Sequence, residues 1–396
     1  MNSFRSAYTL QFWLLCLSSL LFFSSFNMII PELPGYLSSL GGEDYIGLII
    51  ALFAVTAGLS RPFSGKLTDR WGRIPVMVFG AMVSALAALL YPLISSIAGF
   101  LFIRFIHGMS TGFKPTGTSA YVADIVPADR RGEAMGISSF AASLGMAIGP
   151  SIGPLIASSI SLDVMFYTSS LFAFLSIAIL LGMKETAKNA SSFKLRYLSI
   201  SKQEVIEPKV LAPAFSMMLT VYSFGVVLTV TPDFSDHLGI ANRGLFFTVF
   251  TLSSMLVRFL GGKASDIYGR IPVLVVSSVL VIVAMSIVGL ATNQLSFLIG
   301  SFFFGLGVGI GSPTILAWTI DLSDEQYRGK ALATTYIALE IGIGLGALIS
   351  GWQYGGDIEN MPMVFGSAGL LSLVAMVFLI IYNRWNKHRR GSLNDQ

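Results

Sequence analysis

The chain has 396 residues, of which 54% are apolar, 12% are charged and 40 are glycine. Soluble globular proteins carry about 25% charged residues, so this composition excludes an ordinary soluble protein and is typical of one embedded in a lipid bilayer. The formal charge of +4 reflects the sidedness of the basic residues and does not indicate a nucleic-acid partner.

Apolar stretches of about 20 residues, the length that crosses the hydrocarbon core of a bilayer, recur along the whole chain. Long continuous apolar runs favour helices over the alternating strands of a membrane barrel. We therefore predict an all-α membrane protein. We expect its twelve transmembrane helices near residues 9–33, 44–64, 75–95, 98–123, 133–158, 162–182, 210–232, 244–262, 272–291, 295–319, 330–352 and 361–383.

The first predicted helix has Arg5 ahead of an apolar core, as a signal peptide has. No small-residue cleavage site follows, and Asn27 to Pro34 continues the span, so we predict a retained helix. The single cysteine, Cys16, has no companion for a disulfide or a metal site. The chain also lacks a G-x-x-x-x-G-K-[ST] loop and a Ser/His/Asp or metal-ligand arrangement, so we predict no cofactor and no enzymatic activity.

Basic residues are distributed very unevenly between the two sides of the membrane. With both termini placed inside, twenty of the 25 lysine and arginine residues fall in inner segments, whereas one, Arg243, falls in an outer loop. Acids such as Asp44 and Asp357 lie in the outer loops. The positive-inside rule therefore predicts a multi-pass protein of the cell membrane with both termini in the cytoplasm.

The chain contains an internal repeat. The segment RPFSGKLTDRWGRIPV, Arg61 to Val76, recurs as RFLGGKASDIYGRIPV, Arg258 to Val273, at an offset of 197 with nine of sixteen positions identical. The same offset carries Arg131-Gly132 onto Arg328-Gly329 and Asp124 onto Asp321. In a very apolar chain, parallel repeats of this kind are typical of transporters whose halves rock around a central site.

The repeat predicts an N-terminal six-helix bundle at residues 1–183 and a C-terminal one at 210–383. A cytoplasmic connector at 184–209 joins them, and a basic cytoplasmic tail follows at 384–396. Within the connector, the amphipathic piece from Phe193 to Ile200 favours a strap on the inner surface. A flexible linker is the alternative.

Three motifs resemble those of the major facilitator superfamily. GKLTDRWGR (Gly65 to Arg73) resembles its motif A, RxxxGxxxG (Arg104 to Gly112) its motif B, and GxxxGPxxGP (Gly145 to Pro154) its motif C, the signature of the drug:proton antiporter branch. They occur in the family's order and on the matching helices. The resemblance implies two pseudo-symmetric six-helix bundles that transport by alternating access.

Motif A joins predicted helices 2 and 3, where Gly65 and Gly72 permit tight turns. The resemblance implies an inner gate formed by Asp69, Arg70 and Arg73, with Arg73 pairing with Asp124 and Asp69 facing the start of helix 11. It implies a second gate from Asp266, Arg270 and Asp321, where Ile267 replaces the counterpart of Arg70. The alternative is that these charges only orient the protein.

Motif C has its own physical interpretation. Gly145, Gly149 and Gly153 are spaced four residues apart, which lets another helix approach closely, and Pro150 and Pro154 remove backbone donors. Together with the resemblance, the paired prolines favour an antiporter. Close packing without a transport role is the alternative.

Predicted helix 4 carries a polar stripe with spacings of 3, 4, 3, 4 and 3 residues, which keeps its members within an arc of about 100°. The stripe consists of Arg104, His107, Thr111, Lys114, Thr118 and Tyr121. We expect it to line a water-filled cavity. The resemblance associates Arg104 with proton transfer, and His107 is either a proton relay or a hydrogen-bonded helix contact.

Two acids are candidates to carry a proton. Glu340 lies about eleven residues into helix 11, near the midplane, and Glu32 lies near the outer end of helix 1. A carboxylate that alternates between a wet state and a cation-paired state can load and release a proton, so we predict Glu340 as the main carrier and Glu32 as the alternative. A permanent ion pair with Lys114 or Arg104 is the competing interpretation.

The resemblance implies that helices 1, 7 and 10 line the substrate cavity, which assigns Asn27, Tyr222 and Phe304 to it, with lipid contact as the alternative. We therefore expect a monomer that couples protons to the export of a small amphipathic or apolar compound across the bilayer. Proton-coupled or facilitative import of an organic anion stays open because of the cations of helix 4. So does a non-transporting sensor on the same scaffold.

Overall fold

The computed structural model describes residues 8–42, 45, 48–188, 190–240 and 245–394, and this part of the chain contains twelve long helices and no strand. Helix α1 runs over Leu10–Ile29 and continues through the turn Ile30–Glu32 into Leu33–Ser39. The others are α2 (Leu48–Arg70), α3 (Arg73–Leu90), α4 (Ile97–Ile125), α5 (Arg131–Ser159), α6 (Leu162–Leu181), α7 (Leu211–His237), α8 (Leu245–Tyr268), α9 (Arg270–Gly289), α10 (Gln294–Leu322), α11 (Arg328–Tyr354) and α12 (Met361–Asn394). Each predicted helix has its counterpart, so the predicted fold class is confirmed.

Most of these helices are membrane spans by length and composition. Ten are long and apolar enough to cross a bilayer, and α8, bent by 43° between Leu245–Arg258 and Leu260–Tyr268, would add an eleventh. The remaining helix is α4, which carries Arg104 and Lys114. The protein is therefore a multi-pass membrane protein. Of the charges used to orient it, Arg5, Asp44 and Arg243 lie outside the described residues.

Two glycines make the short turns of the repeated motif. Gly72, between α2 and α3, has a φ of 134°, and Gly269, between α8 and α9, has a φ of 91°. L-amino acids with a side chain rarely adopt these angles, so both turns require glycine. In both repeats, a glycine with positive φ therefore ends one helix and lets the next helix begin directly after it.

The chain divides into two compact units. Unit 1 comprises Met1–Ala128, Ile137–Lys209 and Leu322–Tyr336; unit 2 comprises Asp129–Gly136, Val210–Asp321 and Ile337–Gln396. Unit 1 thus includes the first turns of α11, and unit 2 includes the first turn of α5. The predicted division into bundles at 1–183 and 210–383 stays a prediction.

Each unit has its own buried apolar core. In unit 1, Met28, Tyr91, Phe100 and Phe166 belong to one cluster of fully buried side chains. In unit 2 the corresponding cluster contains several aromatic residues from α7, α8, α10 and α12, among them Tyr222, Phe246, Phe297, Phe304 and Phe365. Aromatic and methionine side chains therefore fill the interiors of both units, and not only the lipid-facing surface.

Serine pairs join α1 to α6 inside unit 1. Ser18 and Ser176 lie 2.8 Å apart between their hydroxyl oxygens, and the Ser25 hydroxyl donates to the Ser169 carbonyl at 2.7 Å. The hydroxyls of Ser176 and Ser169 donate back to the carbonyls of Ser18 and Ser25. Small residues let the backbones approach, and the reciprocal bonds satisfy polar groups that lipid cannot.

The connector after α6 packs against the end of α2. Tyr197 is buried in a cluster with Leu67, and the Phe193 ring meets the Trp71 ring at 5.3 Å. The Lys66 Nζ donates to the Ser199 carbonyl at 2.7 Å and to the Glu204 carboxylate at 2.8 Å. Of the two interpretations left open by the sequence, the structure therefore favours a docked strap over a flexible linker.

Docking of the connector should depend on pH through Glu204. Hydrogen bonds from Lys66 and from the Ser201 backbone lower the pKa of this carboxyl below its ordinary value near 4.5. A lowered folded-state pKa means that the contact stabilises the docked form above about pH 4.5 and that this stability is lost as the pH falls through the folded-state pKa. We expect amide hydrogen exchange of residues 196–205, corrected for its intrinsic pH dependence, to rise there. Glu204→Gln should exchange faster already at pH 7 and lose the acid response, and an unchanged response would contradict this.

Candidate functional site: two carboxylate latches and the buried stripe of helix α4

Asp69, at the end of α2, binds the start of α11. Its carboxylate accepts hydrogen bonds from the backbone N–H groups of Gly329 at 2.7 Å and Lys330 at 2.9 Å. These are among the first N–H groups of α11, which have no partner within the helix, and the positive end of the helix dipole favours the carboxylate. Asp69 is 7% exposed, so its charge is largely shielded from water.

Two arginines complete this arrangement around Asp124, at the end of α4. Arg73 donates to Asp69 at 2.9 Å and to Asp124 at 3.0 Å, and Arg328 donates to the other oxygen of Asp124. We call Asp69, Arg73, Asp124 and Arg328, with the N–H groups of Gly329 and Lys330, the first latch. The pairing of Arg73 with Asp124, and the position of Asp69 at the start of α11, are those the motif resemblance implied.

Unit 2 contains the same arrangement at an offset of 197. The Asp266 carboxylate accepts from the backbone N–H groups of Gly132 at 2.9 Å and Glu133 at 2.8 Å, at the start of α5. Arg270 binds Asp266 and also donates to Asp321 at 2.8 Å, and Arg131 donates to Asp321 at 3.1 Å. We call Asp266, Arg270, Asp321 and Arg131, with these N–H groups, the second latch.

The replacement of Arg70 by Ile267 in the second copy does not prevent the second latch from forming. The Arg70 side chain is exposed and makes no ion pair among the described residues, so its loss removes nothing from the network. Sequence reasoning placed Arg70 in the gate and missed Arg131 and Arg328. The available signal was the repeat, which carries Arg131-Gly132 onto Arg328-Gly329.

Glu185, after α6, is another residue that the sequence did not single out. Its two carboxylate oxygens accept from the backbone N–H groups of Arg73 at 3.0 Å and Ile74 at 2.9 Å, so it caps the start of α3. A Cβ on Gly72 would come within 2.6 Å of the Glu185 carboxylate. The turn glycine therefore also makes room for this cap.

Glycines bring the helices of each latch into backbone contact. A Cβ on Gly65 would lie 2.7 Å from the Ala333 Cβ, and one on Gly329 would lie 2.4 Å from the Gly65 carbonyl oxygen. In unit 2, a Cβ on Gly262 would lie 2.2 Å from the Gly132 carbonyl oxygen. Real Cβ contacts are longer than this, so both latches depend on glycine at the crossing point.

The motif C glycines bring α5 against α1. Added Cβ atoms on Gly145, Gly149 and Gly153 would lie 2.4, 2.6 and 2.0 Å from backbone carbonyl oxygens of α1. Pro150 and Pro154 lie inside α5, which continues without a break from Arg131 to Ser159. In unit 2, Gly342 and Gly346 bring α11 equally close to α7. The close packing expected from the glycine spacing is therefore present in both copies.

Five of the six side chains in the polar stripe of α4 are buried, and the sixth, Thr111, is half-buried. Arg104 is 1% exposed, donates to the Ile49 carbonyl of α2 at 2.7 Å and stands 4.3 Å from the centre of the Phe53 ring. His107 is fully buried, and its Nε2 lies 3.2 Å from the Ser84 hydroxyl of α3. Arg104 Nη1 and His107 Nδ1 make no hydrogen bond within the described residues. A role of either residue in proton transfer stays a prediction.

Lys114 is buried, and no carboxylate among the described residues pairs with it. It is 1% exposed, its Nζ lies 3.3 Å from the Ser18 carbonyl of α1 and 4.9 Å from the centre of the Phe22 ring. Neither Lys114 nor Arg104 forms an ion pair among the residues that the structure describes. The interpretation of a permanent ion pair with either cation therefore finds no support here.

The hydroxyls of the other stripe residues donate hydrogen bonds to carbonyl groups of α4 and to neighbouring segments. Thr118 donates to the Lys114 carbonyl at 2.9 Å and Thr111 to the Gly108 carbonyl at 3.2 Å, one turn back along α4. The Tyr121 hydroxyl donates to Gln11 of α1 and, at 2.8 Å, to the Lys184 carbonyl. In this structure the stripe is covered rather than open, and its assignment to a substrate cavity stays a prediction.

The remaining predicted site residues belong to neither latch. Glu340 in α11 and Glu32 in the α1 turn are both half-buried. Asn27 is 8% exposed and donates to the Phe23 carbonyl, one turn back in α1. Tyr222 and Phe304 are buried in the aromatic cluster of unit 2. Arg61, within α2, is buried and stacks on the Tyr336 ring at 4.4 Å.

The sequence matches the family model described as Major Facilitator Superfamily over residues 15–244 and again over 213–394. Together the two matches cover nearly the whole chain. The protein belongs to the major facilitator superfamily.

Solved structures show how closely this major facilitator chain follows the shared fold. The human organic anion transporter MFSD10 (TETRAN) superposes with a TM-score of 0.80 at 18% identity, covering 93% of this chain and 98% of that one. The proton:xylose symporter XylE superposes with a TM-score of 0.78 at 16% identity, covering 94% and 95%. At these identities the likeness concerns the fold alone.

Curated relatives match this major facilitator chain over most of its length. The quinolone resistance protein NorA of Staphylococcus aureus is 24% identical over 399 aligned residues, covering 98% of this chain and 99% of NorA. The multi-drug resistance efflux pump PmrA of Streptococcus pneumoniae is 25% identical over 334 residues, covering 81% and 83%.

Proposed function

We propose that this protein exports a small amphipathic or apolar compound in exchange for protons, by alternating access. The observation that carries the proposal is the pair of latches. In each latch, a motif carboxylate accepts hydrogen bonds from the first backbone N–H groups of a helix from the other repeat, which have no partner within that helix. The pattern recurs at an offset of 197 residues. A latch made from a few hydrogen bonds at helix ends can open and close as a unit.

The energetics of such a latch suit a two-state transporter. Shifting a two-state equilibrium from 1:99 to 99:1 takes about 5.5 kcal/mol of differential binding. Charge-assisted hydrogen bonds contribute about 1.5–3 kcal/mol each, so the few bonds of one latch together contribute a free energy of the required magnitude. Binding of a proton and of a substrate can then bias the equilibrium, provided that each binds the two states with different affinity.

The proton pathway that we propose runs through the charged groups inside the spans. Glu340 is the main carrier and Glu32 the alternative, while Arg104 and His107 each offer a buried nitrogen without a hydrogen bond in the described part of the chain. Placing a charged side chain inside a membrane span costs free energy, and such residues in membrane proteins usually serve a function such as transport. Lys114, Thr111, Thr118, Tyr121, Asn27, Tyr222 and Phe304 stay the proposed substrate-cavity residues.

Export, rather than import, is supported by the names of the relatives, a quinolone resistance protein and a multi-drug efflux pump. The motif C glycines and prolines of α5 are consistent with this direction. With both termini placed in the cytoplasm by the positive-inside rule, the latches lie on the cytoplasmic side of the membrane.

Replacing Glu340 with glutamine tests the proton carrier. In proteoliposomes with an imposed pH gradient, the variant should lose gradient-driven transport, because an amide keeps the shape of the carboxyl group but cannot bind a proton. Substrate exchange without a gradient should persist. Glu359→Gln, in an exposed turn before α12, removes the same charge away from the spans and is the matched control. Gradient-driven transport by Glu340→Gln at the control rate would reject the assignment.

Import of an organic anion is the second candidate, and the buried Lys114 favours it. A cation that stands against a carbonyl and an aromatic ring, with no carboxylate partner in the described chain, is a potential anion site. The direction of the driving gradient distinguishes the two functions. A proton-coupled exporter moves substrate in the direction opposite to the proton flow. A proton-coupled importer moves substrate in the same direction as the protons.

A further inference from the structure

A cavity in unit 1 lies between the end of α2 and the docked connector. Its volume is about 260 Å³, and it is lined by Lys66, Arg70, Arg196, Tyr197 and Glu204. Three cations face it with one carboxylate, so its walls carry a net positive charge. None of the steps of the proposed transport cycle uses it.

The cations converge on this cavity because the connector is fixed in place. The Arg70 carbonyl accepts from the Ser191 backbone N–H at 3.0 Å, and the Ser191 hydroxyl lies 2.6 Å from the Tyr197 hydroxyl. The Tyr197 ring is buried, and the Arg196 guanidinium lies 5.6 Å from its centre. Arg196 is thereby held on the same wall as Arg70. A positive-inside bias alone requires basic residues on this side but not their convergence.

The donors of this cavity are only partly used. Lys66 is shared between the Ser199 carbonyl and the Glu204 carboxylate. Arg70 is exposed and has no side-chain partner among the residues described. A guanidinium presents a planar fork of N–H groups that matches two oxygens of a phosphate group. Two such forks and a lysine around one small space form an arrangement suited to a tetrahedral oxyanion.

We propose that this cavity binds a phosphate-bearing anion, the headgroup of a phospholipid or a soluble phosphate, through Arg70 and Arg196, with Lys66 shared between the anion and Glu204. The volume fits a phosphate group with a short ester arm and is smaller than the roughly 300–1,000 Å³ of drug-sized ligand pockets. None of its lining residues is among the proposed substrate-cavity residues.

The anion would act on the first latch. A second cavity, of about 400 Å³, shares Lys66, Arg70 and Glu204 with the first and also contains Asp69, Tyr327 and Lys330. A phosphate on Arg70 therefore lies next to the carboxylate that binds the start of α11. The bound phosphate would hold the connector on α2 and so favour the conformation in which the first latch is formed. Binding itself is measured without transport, so this inference stands or falls independently of the export proposal.

The test uses the full-length protein in two arms. In detergent with lipid removed, binding of radiolabelled inorganic phosphate is measured by equilibrium dialysis. In mixed micelles, bound phosphatidic acid is counted by native mass spectrometry, with diacylglycerol as the control that lacks the phosphate. Hydrogen exchange of residues 191–204 should fall in whichever arm holds the ligand, because the bound anion adds contacts that stabilise the docked connector. Binding in the first arm identifies a soluble phosphate as sufficient, and binding in the second alone identifies the lipid headgroup.

Variants that remove a cation from this cavity should lower its affinity for phosphate. Arg196→Gln and Arg70→Gln should each weaken binding by about tenfold or more, because each removes a guanidinium that lines the cavity. Lys194→Gln removes the same charge two residues from Arg196, at an exposed position that does not line the cavity, and should bind as the wild type does. Binding that is absent in both arms, or that responds to Lys194→Gln as strongly as to Arg196→Gln, overturns the proposal.

Discussion

Replacing Asp69 with asparagine is expected to open the first latch and stop transport. The carboxylate accepts from Gly329, Lys330 and Arg73, and an amide turns one of its two acceptor oxygens into a donor that faces a backbone N–H. Removing one partner of a buried charged pair costs about 3–5 kcal/mol. Since 1.4 kcal/mol corresponds to a factor of ten, the latched form should lose about a hundredfold in population or more.

Distance measurements on unit 1 can detect this opening. Spin labels at Ala128→Cys and Gln326→Cys, in a Cys16→Ser background, report the separation between the end of α4 and the start of α11. Asp69→Asn should broaden and lengthen the distance distribution and abolish substrate flux. Asp129→Asn, which removes a carboxylate from an exposed turn, is the control and should change neither. An unchanged distance distribution and an unchanged transport rate in Asp69→Asn would show that the contact does not stabilise the conformation in which the latch is formed.

Introducing a methyl group at Gly153 is expected to separate α5 from α1. Its Cβ would come within 2.0 Å of the Met28 carbonyl oxygen, which belongs to a helix backbone and cannot rotate away. Overpacking of this kind typically destabilises a protein by about 1–3 kcal/mol and shifts the backbone. Gly153→Ala should therefore lower the thermal stability of the purified protein and reduce transport.

Gly344 provides a matched control for this prediction. It lies in α11, another long membrane helix, and nothing stands within 4 Å of an added Cβ. Gly344→Ala should be neutral or slightly stabilising, because alanine favours a helix by up to about 1 kcal/mol over glycine. The measurement is the folded fraction after heating, followed by size-exclusion chromatography. Equal stability of the two variants would contradict the close contact of α5 with α1.

The helices were predictable from the sequence because a bilayer imposes their length. Apolar stretches of about 20 residues appear wherever the chain crosses the membrane, and each of the twelve predicted stretches forms a helix. The latches were predictable in part, because Asp69 and its repeat Asp266 stand in a recognisable motif. Their arginine partners Arg131 and Arg328 were not assigned, since they lie far along the chain and only packing brings them to Asp321 and Asp124.

The environment of the α4 stripe was not predictable. Helical periodicity places Arg104, His107 and Lys114 on one face, but it does not say what covers that face. In the structure, α2, α3 and α1 supply a carbonyl, a hydroxyl and another carbonyl to these three side chains. Polar residues have the same spacing along a helix whether that face is open to water or buried against other helices.

The sequence by itself determined the membrane class, the twelve helices and the repeat at an offset of 197 residues, because each of these follows from local composition or from residues at fixed spacing. The superfamily followed from the resemblance of its three motifs. Only the tertiary structure decided that Asp266 binds the start of α5, that Arg131 and Arg328 complete the latches, that Glu185 caps α3 and that the connector is docked. The physical reason is that hydrogen bonds and burial join residues 51 to 261 positions apart, and the free energy of such contacts depends on distances that no local pattern contains.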